Sequence, residues 1–167
     1  MNTNTTTNTN INPIKSNIRN EQINTLNELI AVTRDGAEFY GDAAAKAKSP
    51  QLQTLFRHMA DSKNGLVGAM SREVKSVGGS PEATGTFRGT LHQLYGDARG
   101  KLGSTDYGYV AELEASEDRL LCAFDNVLKD DDVAPQVKEA VRGFLPKVRE
   151  QHQVMRDRKW AMEATKH

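Results

Sequence analysis

Four polar side chains fall on otherwise apolar helical stripes: Thr33, Lys63, Glu117 and His152. A carboxylate and an imidazole aimed into a helical interior are donor types that hold a metal ion. An ammonium is not, because its charge repels a cation and it has no lone pair to offer. Three chemistries are therefore open. Glu117 and His152 can lead a metal donor set, provided Glu38 or Glu114 turns inward beside them. Alternatively, Lys63 and Glu117 pair inside the fold with His152 close by. Such a pair adds little net stability but fixes which helices face each other. The third possibility is that Lys63 and His152 lie at the stripe edges and carry their polar heads to water. Catalysis is the reading that these residues favour least, and no catalytic residue is assigned.

The stripes come from segments with the three-and-four spacing of amphipathic helices. The first runs Ile23, Leu26, Ile30, Thr33, Ala37, Tyr40, Ala44. Thr25 and Glu28 have the spacing of a capping box, or else lie inside a helix begun a few residues earlier. Ser49-Pro50 closes this segment and opens the next, with Ser49 as cap and Pro50 in the first turn. The second stripe is Leu52, Phe56, Met59, Lys63, Leu66, Met70, Glu73, Val77, stopped by Gly78-Gly79-Ser80-Pro81. A third begins near Asp106 and reads Val110, Leu113, Glu117, Leu120, Phe124, Val127. After the acidic turn Asp130-Asp131-Asp132, the fourth carries Val137, Val141, Phe144, Val148, His152, Met155, Lys159 and Met162. Pro146 inside it is expected to bend or break the helix. Between the second and third segments, Thr86 to Leu102 reads as a weakly helical connection interrupted by glycines, with His92 as a packing or surface residue. No alternating strand pattern competes. The expectation is an all-α, antiparallel four-helix bundle with a helical crossover between the second and third helices. That long connection carries the third helix to the far end, as in ferritin-like bundles.

Composition narrows the class. The chain has 167 residues, enough for one core. Residues 1–20 are rich in Asn and Thr and bury too little apolar area to offset ordering, so they are expected as a disordered tail before a bundle over 21–167. Lys plus Arg equals Asp plus Glu at 22 each, which argues against a dedicated nucleic-acid binder. A basic stretch at Arg142, Lys147, Arg149, Arg156, Arg158 and Lys159 leaves a local patch open. Cys122, the single cysteine, excludes an internal disulfide and is expected buried or half-buried on its helix. No apolar run reaches the roughly 18 residues of a membrane span. No secretory signal is visible, and a cytoplasmic location is expected by default.

The chain resembles a family of bacterial ferritin-like four-helix-bundle proteins of unknown function, related to stress-induced bundle proteins. The resemblance is carried by Asn24-Thr25-Leu26-Asn27-Glu28-Leu29-Ile30, Asp35-Gly36-Ala37-Glu38-Phe39-Tyr40, the Gly-Gly-x-Pro stretch at 78–81, Gly89-Thr90-Leu91-His92, Glu117-Asp118, and His152 with Arg156. It covers about residues 22–160 and implies a fold rather than an activity. A di-iron site in such a bundle draws one Glu from each of two helices and a Glu-x-x-His pair from each of the other two. At the matching positions this chain has Thr33, then Lys63 and Leu66, then Glu117, then Arg149 and His152. Only Glu117 and His152 survive of that ligand set. The expectation is a non-catalytic structural or interaction protein, with a protein partner or self-association and no cofactor. The alternative is a metal-handling protein, iron foremost, with a rearranged carboxylate and histidine site at Glu117, His152 and Glu38.

Overall fold

The computed structural model describes residues 12–83 and 105–166, and all regular structure among them is α-helical. Helix α1 spans Pro13–Lys46, α2 Pro50–Ser76, α3 Asp106–Lys129, α4 Pro135–Arg142 and α5 Leu145–Ala164. Helix α1 packs along α2, α3 packs along α5, and smaller contacts tie α1 to α3 and α4 and α2 to α5. The connection expected to be helical over Thr86–Leu102, with His92, lies outside the described residues.

Local chemistry sets most boundaries. Ser49 caps α2 by accepting from the Leu52 N–H at 3.4 Å, with Pro50 in the first turn. Thr105 caps α3 through the Gly108 N–H at 3.0 Å. At the end of α2 the Gly79 N–H donates to the Val74 carbonyl and the Gly78 N–H to the Lys75 carbonyl, closing a Schellman turn. Gly78 takes φ +84°, a left-handed conformation that a side chain disfavours. Gly79 is required for a different reason. A Cβ there would lie 2.7 Å from Ile23 Cγ1 on α1.

One boundary differs from the sequence expectation, and another bears it out. Helix α1 begins at Pro13, inside the segment expected as a tail, because Asn12 accepts from the Ile14 N–H and Pro13 occupies the first turn. Thr25 and Glu28 therefore lie within a helix already under way. The break expected at Pro146 divides the fourth helix into α4 and α5. Pro146 has no N–H, and its ring would clash with the carbonyl of Arg142, the last residue of α4.

The core has two parts. One is mostly aliphatic, built on Leu26, Ile30, Leu66, Met70, Leu120 and Val148. The other is richer in aromatic and sulfur side chains, including Phe39, Tyr40, Phe56, Met59, Leu113 and Met155. Asp106 holds the α1–α2 turn against α3, its two carboxylate oxygens accepting from the N–H groups of Lys48 and Ser49 at 2.7 and 2.8 Å. Cys122 is exposed rather than buried, since it lies off the Leu120–Phe124 stripe.

Candidate functional site

A polar layer divides the two parts of the core. Lys63 sits between Met59 and Leu66 on α2, Glu117 between Leu113 and Leu120 on α3, and Gln151 between Val148 and Met155 on α5. In each helix the earlier or later neighbour belongs to the opposite half of the core, so the three polar side chains lie at one level. Helical spacing puts them there: each follows an apolar stripe residue by three or four positions, on the same buried face.

The layer is a connected network. Lys63 Nζ donates to Glu117 Oε2 at 2.8 Å and to Gln151 Oε1 at 3.0 Å. The Tyr40 hydroxyl donates to Glu117 Oε1 at 2.7 Å. Gln151 Nε2 donates to Ser62 Oγ at 2.9 Å, which carries the network to a half-buried position on α2. The donor inventory fixes the directions. Lysine has only donors, so Gln151 must present its oxygen, and its amide nitrogen is left for Ser62. An ionised carboxylate only accepts, so Tyr40 must donate. The ammonium also lies 5.9 Å from the Tyr40 ring centroid, within cation–π range.

Burial makes this arrangement costly to disturb. The side chains of Lys63 and Glu117 are 2% and 0% exposed. Each charge has lost its water, and the mutual attraction offsets more of that loss because Tyr40 donates to the second oxygen of Glu117 and Gln151 accepts a second proton of Lys63. Both oxygens of Glu117 are engaged, and a cation sits against one of them. Such a carboxylate is a poor metal ligand, because binding would require displacing an ammonium of the same sign.

The other sequence candidates go elsewhere. Thr33 is buried, but its hydroxyl donates to the Leu29 carbonyl of its own helix at 2.7 Å. His152 is 4% exposed. Its Nε2 makes no hydrogen bond among the described residues, and the nearest carboxylate oxygen, Asp118 Oδ1, is 3.5 Å away. It faces that carboxylate rather than bonding to the pair. Glu38 is exposed on α1 and does not turn inward, being two positions from the Tyr40 that does. Glu114 bonds to Lys159 Nζ at 3.2 Å. That bond raises the Lys159 pKa against an opposing effect of burial. Among the described residues no three His, Cys, Asp or Glu side chains gather to hold a metal ion. Half of the basic stretch is paired with carboxylates, Arg142 with Glu139, Lys147 with Glu150 and Lys159 with Glu114, while Arg156 lies over the Trp160 ring.

Three members of the network were not singled out in the sequence. Tyr40 stood on the first stripe as an apolar residue, although a buried phenol generally needs a partner for its hydroxyl. Gln151 was hidden beside His152. Its signal is its position three residues after Val148, on the buried face. Ser62 carries no signal of its own.

The chain belongs to a family described as a domain of unknown function, DUF2383, whose model matches residues 21–130. No curated protein and no solved structure matches the chain. The family match upholds the uncharacterised part of the resemblance and carries nothing about ferritin-like or stress-induced relatives. Its span includes Tyr40, Ser62, Lys63 and Glu117 and ends before Gln151 and His152. No helix among the described residues is long and apolar enough to cross a membrane.

Proposed function

We propose that this protein is a non-catalytic association module: a cytoplasmic, ferritin-like antiparallel four-helix bundle whose interior is held by an ion pair where a metal-carrying bundle would hold ligands. The α1–α2 and α3–α5 packing supports that arrangement, with α4 and α5 together making the fourth helix. The observation that carries the functional reading is the Lys63 ammonium, 2.8 Å from Glu117 Oε2. It neutralises the interior carboxylate that a metal would need. A stress-related role is what the sequence resemblance implies, and partner binding or self-association is the activity that this reading assigns to the bundle.

The metal-handling alternative has one observation in its favour, the unbonded Nε2 of His152 beside Asp118. Against it, Glu117 is held by Tyr40 and Lys63, Glu114 is held by Lys159, and Glu38 is exposed. Elemental analysis of the purified chain, before and after incubation with ferrous iron, separates the two. The association reading expects iron far below one equivalent in both samples. Stoichiometric iron retained through desalting would overturn it.

A further inference from the structure

One end of the molecule carries cations that make no ion pair among the described residues. The start of α1, the end of α2 and the start of α4 enclose a cleft of about 350 Å³ lined by Lys15, Ile18, Arg19, Gln22, Val77 and Gln136. Helix α1 has no acidic residue in its first turn. Lys15 and Arg19 are exposed and make no ion pair among the described residues. Cations at the positive end of a helix oppose its dipole. Ile14, one turn before Ile18 on the same face, is 66% exposed.

The acidic turn Asp130-Asp131-Asp132 lies at the same end. The bond from the Ala134 N–H to Glu21 Oε1, 3.2 Å, ties it beside α1. All three aspartates are exposed. Asp130 Oδ1 accepts from the Asp132 N–H at 2.9 Å, while Asp131 and Asp132 make no ion pair among the described residues. Carboxylates at the C-terminal end of α3 oppose its dipole as the cations oppose that of α1. Asp132 also precedes α4, whose first turn lacks acid, so the acidic turn has a partial role within the fold. Lys15 and Arg19 have none among the described residues.

From this juxtaposition we infer that the end formed by the start of α1 and the acidic turn is a self-association surface, and that its occupant is a second copy of this chain. A patch with both signs side by side is complementary to itself under a two-fold rotation. Lys15 and Arg19 of one copy then meet Asp131 and Asp132 of the other, and the reverse, with Ile14 and Ile18 packed between. A bundle end offers little area, so the dimer is weak and salt-sensitive. The inference deepens the association reading and rests on it.

The test is sedimentation velocity of the full chain over a concentration series, in about 0.05 M salt and again in about 1 M, where the screening length falls to about 3 Å. A dimer at low salt is expected, weakened about tenfold or more at high salt. Lys15→Glu/Arg19→Glu and Asp131→Lys/Asp132→Lys should each be monomeric alone, because each places like charges across the interface. Mixed together, the two variants should form a heterodimer, which also shows that both are folded. A parent chain that stays monomeric at low salt overturns the inference and leaves the cleft to residues 1–11 or to a different protein. A dimer indifferent to all four reversals overturns it too, while leaving the association reading intact. Only stoichiometric iron in the parent removes that reading.

Discussion

Two lysine–glutamate pairs join α3 to the rest of the molecule, and their carboxylates stand only one helical turn apart. Lys63–Glu117 closes at 2.8 Å with side chains 2% and 0% exposed, whereas Lys159–Glu114 closes at 3.2 Å with 30% and 16%. The chemistry is the same and the surroundings differ. The outer pair can lose a member and let the survivor return to water. The inner pair cannot, and for that reason it has further partners, Tyr40 and Gln151, on the valences it leaves open. What an ion pair does for a fold is decided by what happens to each charge without the other.

The largest loss is expected at the inner pair. Glu117→Ala or Lys63→Ala strands a buried charge and is expected to destabilise by about 3–5 kcal/mol in chemical denaturation. That is a large part of the roughly 5–15 kcal/mol available to a domain. The supporting bonds come next. Tyr40→Phe leaves Glu117 Oε1 without its donor, and Gln151→Leu leaves Lys63 one acceptor short. Each is expected to destabilise by about 1–3 kcal/mol, as for a buried polar group left unmatched. Loss of less than about 0.5 kcal/mol in both variants would mean that water replaces these partners.

Asp106→Ala tests a third environment. Its carboxylate accepts from two backbone N–H groups at the α1–α2 turn, in a position only partly shielded from solvent. A loss of about 1–2 kcal/mol is expected, because water can take over part of the bonding. The smallest effect belongs to the outer pair. Lys159→Met is expected to change stability by under about 1 kcal/mol, and the change should shrink in high salt. The Lys159 pKa is raised in the folded chain, first by its bond to Glu114. Its contribution is therefore complete below the unfolded value near about 10.4 and is lost as pH rises through the folded value. A denaturation series in alkaline buffer should show the parent and Lys159→Met converging there.

Helical class, the Ser49-Pro50 junction and the acidic turn before Pro135 were legible because each depends on neighbours in sequence. So was the break at Pro146, since a missing N–H acts on its own turn. The early start at Pro13 was legible too, in Asn12-Pro13, but the polar composition of that segment outweighed it. The interior site was half legible. Lys63 and Glu117 stand out because a charge on an apolar stripe is rare, and their pairing followed from opposite sign. His152 stood out for the same reason, yet its neighbour Gln151 enters the network. A helix turns 100° per residue, and stripe spacing alone does not choose between adjacent positions. Glu38 failed as an inward candidate on the same uncertainty, resolved by the inward Tyr40. Ser62 was not legible at all, since its role depends on how α5 lies against α2.

The most direct test of the account is a double-mutant cycle on Lys63 and Glu117, with iron content measured on every variant. If the two charges hold each other inside the fold, Lys63→Met and Glu117→Leu are each strongly destabilising. The double variant then loses far less than their sum, because both desolvation penalties disappear together. Iron stays far below one equivalent throughout. Near-zero coupling, together with stoichiometric iron in the parent that Glu117→Leu abolishes and Lys63→Met spares, would contradict it.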